Sequence, residues 1–272
     1  MKIKFYGTRG SIAVANKDAY KYGGNTTCLY IESASGEPIV IDAGTGIRSL
    51  GMHLLEAKKE KINVLFTHYH WDHIQGFMFF APIFLKSKII SLYGAKRKMT
   101  IKKALSYQMT RPFFPAEVSV LPANISFYVL SDGMNIGGVQ INTIANNHPD
   151  FTLGLKFTEN GRSFCFLTDN ELMAKDANTK YKDFVKFIKG SEFFIHDAQY
   201  TDDIYEKRLG WGHSTFNQVI KLAQDAGVKK VLFTHHDHGS TDSFIDNIVN
   251  ALVEKHKDLS IEAAADGKAI EL

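Results

Sequence analysis

FTHYHWDHIQG, Phe66 to Gly76, sets three histidines and an aspartate into positions 68–73, directly after the apolar run INVLF. A short run of that kind reads as a buried strand, and it delivers His68 at its C-terminal end. His68 and His70, two apart at a strand end, face the same side; Asp72 and His73 follow as the chain turns. Imidazoles and carboxylates crowded together are the donor set of a catalytic metal centre, which needs several ligands and a position open to water. A polar loop with surface histidines would give the same six residues, so the rest of the chain must be asked for more ligands.

Three further strand-like runs end in such a residue. His148 follows VQINTIANN, Asp169 follows FCFLT and His235 follows KKVLFT. His236 and His238 compete with His235, which is preferred because it comes first after the strand. Asp150 lies two residues beyond His148, and Asp176 is a poor rival to Asp169 because its surroundings read as a polar helix. Two metals about 3.5–4 Å apart need a shared anionic ligand, which an aspartate supplies. Trp71, between the histidines, is expected to pack rather than ligate.

The 272 residues are 44% hydrophobic, enough for a substantial core without disulfide staples. A net charge of +3, from 32 basic and 29 acidic residues, argues against a general nucleic-acid coat and leaves room for a local basic rim. Cys28 and Cys165, the only cysteines, form no CxxC knuckle and lie in apolar runs, so buried thiols are expected. The N-terminal MKIKFYGTRGS lacks a secretory apolar segment, and no run reaches membrane-spanning length. A cytoplasmic location is the expectation.

KIKFYG, TCLYIES and PIVIDAG read as strands, and GIRSLGMHLLEAKKE as a helix with Ile47, Leu50, Leu54 and Leu55 on one face. HIQGFMFFAPIFL is expected to form a short helix under the site, SKIISLYGA a strand and RKMTIKKALSYQM a helix. TLGLKFTENGRSFCFLTD predicts a hairpin turning at Asn160-Gly161. The final third alternates helix and strand, and Ser214 or Thr215 can cap the helix that follows. Strands and helices mix throughout without a linker, which predicts one domain over 1–272, of the α/β class, with layered sheets and helices outside.

HYHWDH resembles the H-x-H-x-D-H signature of the metallo-β-lactamase superfamily, and the later His, Asp and His follow in that family's order; IDAGTG resembles its strand-turn. The resemblance implies an αββα sandwich of two mixed sheets. It also implies two divalent metal ions, with His68, His70 and His148 on one, Asp72, His73 and His235 on the other, and Asp169 bridging. Zinc suits these ligands, and manganese or iron also fits. Redox members carry a carboxylate where His70 stands, so hydrolysis is implied.

GWGHSTFNQVIKLAQDAGVKKVLFTH, 210–235, resembles the phosphodiesterase branch that includes transfer-RNA 3′-processing nucleases, with His213 and Thr215 as its His-x-Thr element. The implied reaction is diester cleavage by a metal-bridging hydroxide, with Asp72 orienting it and His213 supporting charge on the phosphoryl or leaving oxygen. The chain has no inserted basic Gly/Pro-rich arm, which points away from extended nucleic acid and towards a small phosphodiester such as a cyclic nucleotide; a homodimer is compatible. Two other readings stay open: a hydrolase of carbon esters, thioesters or lactams, and a non-catalytic metal-binding regulatory domain.

Asp42 is a candidate to accept a proton from a ligating imidazole, or a turn aspartate beside Gly44. Asn25 and Thr26 could do similar work or make a turn, and His196 is read as adjacent to the site. Arg9, Arg111 and Arg208 are candidates for phosphate, each against a solvated surface role. Phe113, Phe114, Tyr200 and Trp211 could stack a base or simply sit in core or rim.

Overall fold

Alternation along the first strands decides which face each side chain takes. In β1 (Lys2–Gly7), β2 (Cys28–Glu32) and β3 (Pro38–Ile41), the residues Ile3, Phe5, Leu29, Ile31, Ile39 and Ile41 share one buried cluster. Cys28, Tyr30 and Val40 point the other way, into a second cluster with Ile47, Leu50 and Leu54 of helix α1 (Ile47–Glu56). A sheet apolar on both faces must be covered on both, and this one is.

The structure, a computed structural model, describes residues 1–272. The first sheet continues with β4 (Lys61–Leu65), β5 (Ile89–Gly94) and β6 (Asn124–Val129). The second contains β7 (Met134–Ile136), β8 (Val139–Ala145), β9 (Leu153–Glu159), β10 (Arg162–Leu167), β11 (Phe193–Asp197), β12 (Lys230–Thr234) and β13 (Ser260–Ala263). The last strand, β14 (Ala269–Glu271), returns to the first sheet beside β1. The two orders are β14-β1-β2-β3-β4-β5-β6 and β13-β12-β11-β10-β9-β8-β7. Phe157, Phe164, Phe166 and Ile195 of the second sheet meet Phe5, Ile31 and Ile41 of the first in the central core. Its outer face packs on α4 (Tyr181–Ile188) and α6 (Phe216–Ala226) through Phe184, Ile188, Val219 and Ala223. The layers are therefore helix, sheet, sheet, helix, the αββα sandwich of the α/β expectation.

Parallel pairing runs from β3 to β6 and from β10 to β13, so these strands end at one edge of the sandwich. Polar residues after strand C-termini accordingly meet there, as sites do in parallel α/β sheets. The β9–β10 hairpin turns where expected, with positive φ at Asn160 and Gly161 (51° and 77°), the backbone of a tight primed turn. Cys28 and Cys165 are buried free thiols, and no helix is long and apolar enough to cross a membrane.

Two local expectations need correction. HIQGFMFFAPIFL is not one helix: α2 (Trp71–Ile74) stops after a turn, and short tight turns of three and four residues follow at Phe77–Phe79 and Ala81–Phe84. Gly76 lies so close to Gly44 that a Cβ there would sit 2.0 Å from its carbonyl oxygen, and Pro82 interrupts further winding. Trp71 does not pack inside; it is 61% exposed, on the solvent side of α2. Three more helices complete the chain: α3 (Ile101–Gln108), α5 (Asp202–Tyr205) and α7 (Asp242–Lys255).

Candidate metal centre

Three of the strand-end residues take left-handed backbone that costs a non-glycine residue on the order of 1 kcal/mol. Asp42 (φ 61°) follows β3, Asp169 (φ 55°) lies two residues past β10 and His235 (φ 55°) follows β12. These turns direct the side chains back across the sheet edge. Gly10 is needed beside His235, because a Cβ there would lie 2.4 Å from the ring's Nδ1.

The edge gathers all seven side chains that the HYHWDH reading names. His68, His70 and His148 form one set of mutually close donor atoms, and Asp72, His73 and His235 another. Asp169 stands between them: Oδ1 is 3.8 Å from His68 Nε2, 4.0 Å from His148 Nε2 and 3.4 Å from His235 Nε2, while Oδ2 is 3.2 Å from His73 Nε2. Asp72 Oδ2 is 3.3 Å from His73 Nε2 and 3.1 Å from His235 Nε2. His68 Nε2 and His73 Nε2 are buried without a hydrogen-bond partner, an expense a protein avoids unless something else takes the lone pair. Five imidazoles and two carboxylates turned on one another fit a pair of divalent ions of the zinc, manganese or iron kind.

Charge compensation explains how so many titratable groups share one buried place. Burial alone would push the Asp169 carboxyl up, but His235, His73 and His68 hold it well below the usual range. Burial likewise opposes the charged form of His73, yet Asp169, Asp72 and Asp42 raise its proton affinity well above the ordinary value. His68 goes the other way, pushed down by burial and by the cation at His73. A metal bound at His73 needs the neutral imidazole, so its binding would be coupled to release of a proton.

Carboxylates and carbonyls behind these groups fix their orientation. His73 Nδ1 donates to Asp42 Oδ2 at 2.8 Å, and Asp42 also accepts from Thr67 N and Thr67 Oγ1, both at 2.8 Å. His148 Nδ1 donates to Gly212 O at 3.1 Å, and Asp72 accepts from Ser11 N at 2.8 Å. His213 leans over both halves: its ring stacks on His235 (5.0 Å between centroids) and meets His148 edge-on (5.3 Å). Its Nδ1 donates to Asp197 Oδ2 at 3.2 Å, and the residue also forms a close set of donor atoms with His148 and Asp169.

Several residues emerge that the sequence reading left without a role. Asp197, at the end of β11, holds His213 and also accepts from Ser214 N and Asn170 N. Asp150 accepts from His70 Nε2 at 2.9 Å. Buried Glu171 accepts from Gly210 N, Gly212 N and the Tyr205 hydroxyl, pinning the loop that carries His213. Asp197 beside His196 and Asp150 beside His148 were the available signals; Glu171 follows Asp169 by only two residues but offered no pattern.

Three candidates fall elsewhere than expected. Arg9 is not a phosphate-facing loop arginine: it is fully buried, donating to Gly23 O (2.7 Å), Ser240 O (2.7 Å) and Asp237 O (3.1 Å). Asn25 supports no candidate ligand; its side chain donates to Asp266 and accepts from Thr45. Thr215 spends its hydroxyl capping α6, accepting from Gln218 N while the Gln218 side chain accepts from Thr215 N, so it does not face substrate. His196 is buried beside Asn170 and Asp197 and stays out of the ligand cluster. Arg208 lies over the exposed Trp211 ring, 4.1 Å from its centroid.

The family described as the beta-lactamase superfamily domain matches residues 38–236, a span that includes every candidate ligand. Ribonuclease Z of Archaeoglobus fulgidus is 21% identical over 278 aligned positions, covering 86% of this chain and 86% of that protein. Among solved structures, the metallo-beta-lactamase fold protein YhfI from Bacillus subtilis superposes with a TM-score of 0.71 at 17% identity, covering 99% of each chain. A diphosphatase from the PhnP family superposes with a TM-score of 0.69 at 16% identity, covering 100% of this chain and 97% of that one.

Proposed function

The chain belongs to the metallo-β-lactamase superfamily, whose hydrolase chemistry its His/Asp clusters fit, and we propose that within it the chain is a dimetal phosphodiesterase acting on small phosphodiesters. The observation that carries this reading is His213, held by Asp197 and leaning over both halves of the ligand cluster. The similarity to a ribonuclease Z, and the fold shared with a diphosphatase, support the same choice.

Two divalent ions, zinc by preference, would be held by His68, His70 and His148 and by Asp72, His73 and His235 with Asp169 between; bound there they supply Lewis acidity and a water acidic enough to attack near neutral pH. The protein's own part is placement and proton handling. Asp72 is fixed by Ser11 N and reaches His73 and His235, so one carboxylate oxygen stays directed into the cluster. Diester cleavage builds charge on phosphoryl oxygens and on a leaving alkoxide. His213 lies close to His148 and Asp169 and is oriented by Asp197 at Nδ1, so its other ring nitrogen can hold a phosphoryl oxygen or give the alkoxide a proton. A thioester, whose thiolate leaves without a proton, gains less from such a donor.

The test is hydrolysis of a chromogenic phosphodiester by the metal-loaded chain, beside the matching monoester and a thioester. Diester turnover that chelation abolishes, metal restores and His213→Ala sharply reduces is the expected result. No diester turnover with both metals bound would overturn the reading and move the carbon-ester or thioester hydrolase to the front.

A further inference from the structure

A cavity of about 510 Å³ opens directly on the open half of the centre, with His68 and His70 in its wall. That volume lies in the range of small-molecule sites, roughly 300–1,000 Å³. One side is the loop that leaves β5, bearing Arg97, Lys98 and Met99; the other is the segment Asp150–Phe151 that follows His148. The loop is tied to the ligand motif by close approach. Tyr69, between His68 and His70, places its hydroxyl where a Cβ on Gly94 would stand, 2.3 Å away, so only glycine lets the loop come this near.

Arg97 is ordered by an aromatic ring: its guanidinium carbon lies 3.3 Å from the centroid of Phe151. A guanidinium laid flat on a ring keeps its N–H edge free, and that edge matches a phosphate in two parallel hydrogen bonds. The ion pairs of the chain engage other cations and leave Arg97 and Lys98 out. The one carboxylate lining the cavity, Asp150, is already bonded to His70. The rest of the wall, Tyr69, Ala95, Met99 and Phe151, is mostly apolar and suits a flat ring. Two cations lining one cavity beside a hydrolytic centre, with its one carboxylate engaged by His70, make the cavity a place for an anion brought by the substrate.

We propose that this cavity receives the part of the substrate beyond the scissile phosphate, and that Arg97 and Lys98 select nucleotide diesters carrying a second phosphate group there. The inference rests on the phosphodiesterase reading and sharpens it from small diesters in general to one charge class.

The metal-loaded chain would be assayed on a 5′-phosphorylated thymidine dinucleotide and on the same dinucleotide without that phosphate. The expected kcat/KM ratio favours the phosphorylated form at least about tenfold, mainly through KM, consistent with loss of one charge-assisted contact. In the double variant Arg97→Gln, Lys98→Gln the ratio falls to within about twofold, and Arg97→Lys alone is intermediate because it keeps charge but not the planar fork. Calorimetry on the metal-free chain gives a readout independent of turnover: thymidine 3′,5′-bisphosphate binds more tightly than thymidine 5′-monophosphate, and the double variant loses the difference. Equal ratios in the unmodified chain, or a preference that survives the double variant in either measurement, overturns this inference while leaving the phosphodiesterase reading intact. Failure of that reading looks different, as no dinucleotide or chromogenic diester is cleaved although both metals are bound.

Discussion

His73 and His70 each give a ring N–H to a carboxylate at nearly the same distance, 2.8 Å to Asp42 and 2.9 Å to Asp150, yet the two pairs sit in different surroundings. The His73–Asp42 side chains are wholly buried; those of His70 and Asp150 are 39% and 78% exposed. Around His73 the protein has closed its own layers, with Asp42 further braced by Thr67 and with Asp72 and His235 buried alongside. Around His70 it has left an open cavity. The same chemical pair thus serves two purposes. In the deep half it fixes a ligand against a low-dielectric background, where orientation is costly to disturb; in the open half it steadies a ligand that water and substrate can reach.

The strongest test of this division uses the residue that spans it. His213→Ala is expected to lower kcat on a chromogenic diester by about 100- to 10,000-fold, the usual worth of a positioned acid or base, while metal analysis still finds both ions. Loss of a metal with the activity would make His213 a ligand and erase the distinction between holding and reacting. Next, Asp42→Asn is expected to weaken retention of one of the two metals by about 10- to 100-fold in competition with a chelator, as for other carboxylates behind ligating histidines.

Proton linkage separates the halves at intermediate size. The ordinary imidazole value lies near 6.5, and His73 and His235 are raised above theirs in the metal-free protein, against burial, by Asp169 above all. A raised folded value means stability that is complete below the unfolded value and is lost as pH rises through the folded one. Thermal unfolding of the metal-free chain should therefore fall from pH 6.5 upward, while the loaded chain, with metal in place of the proton, changes less. Parallel curves would show that the deep half does not hold that proton. The smallest effect belongs to Asp150→Asn: an exposed pair contributes at most about 1 kcal/mol, so metal affinity should change less than about fivefold, and 0.5 M salt should remove the difference.

How far the sequence foretold this arrangement depended on whether the information was local. HYHWDH, the strand ends at His148, Asp169 and His235, the Asn160-Gly161 turn and the cap at Thr215 are each decided within a few residues. Arg9 shows the limit. In a Gly-rich turn it reads as solvent-exposed, but the carbonyls that bury it come from Gly23, Asp237 and Ser240, which only the closing of both sheets brings together. Asp197 and Asp150 are ordinary acids in the chain until β11 and the 148–151 segment place them behind His213 and His70. Arg97 and Lys98 open the run RKMTIKKALSYQM, read from the sequence as one helix; α3 begins only at Ile101, capped by Thr100, and the residues before it form the loop that lines the cavity at the edge of the centre. Patterns of periodicity carry the layers; long-range pairings carry the supports of the site.

The most direct test of the central claim is a metal titration followed by diester turnover. The metal-free chain would be given increasing zinc, with bound metal counted by mass spectrometry and chromogenic diester hydrolysis measured at each step. Turnover that rises to a plateau at two equivalents, the first ion held far more tightly than the second, is the predicted result. Full turnover at one equivalent, or two ions bound with no diester cleaved, would contradict the account of a dimetal phosphodiesterase with one closed and one open half.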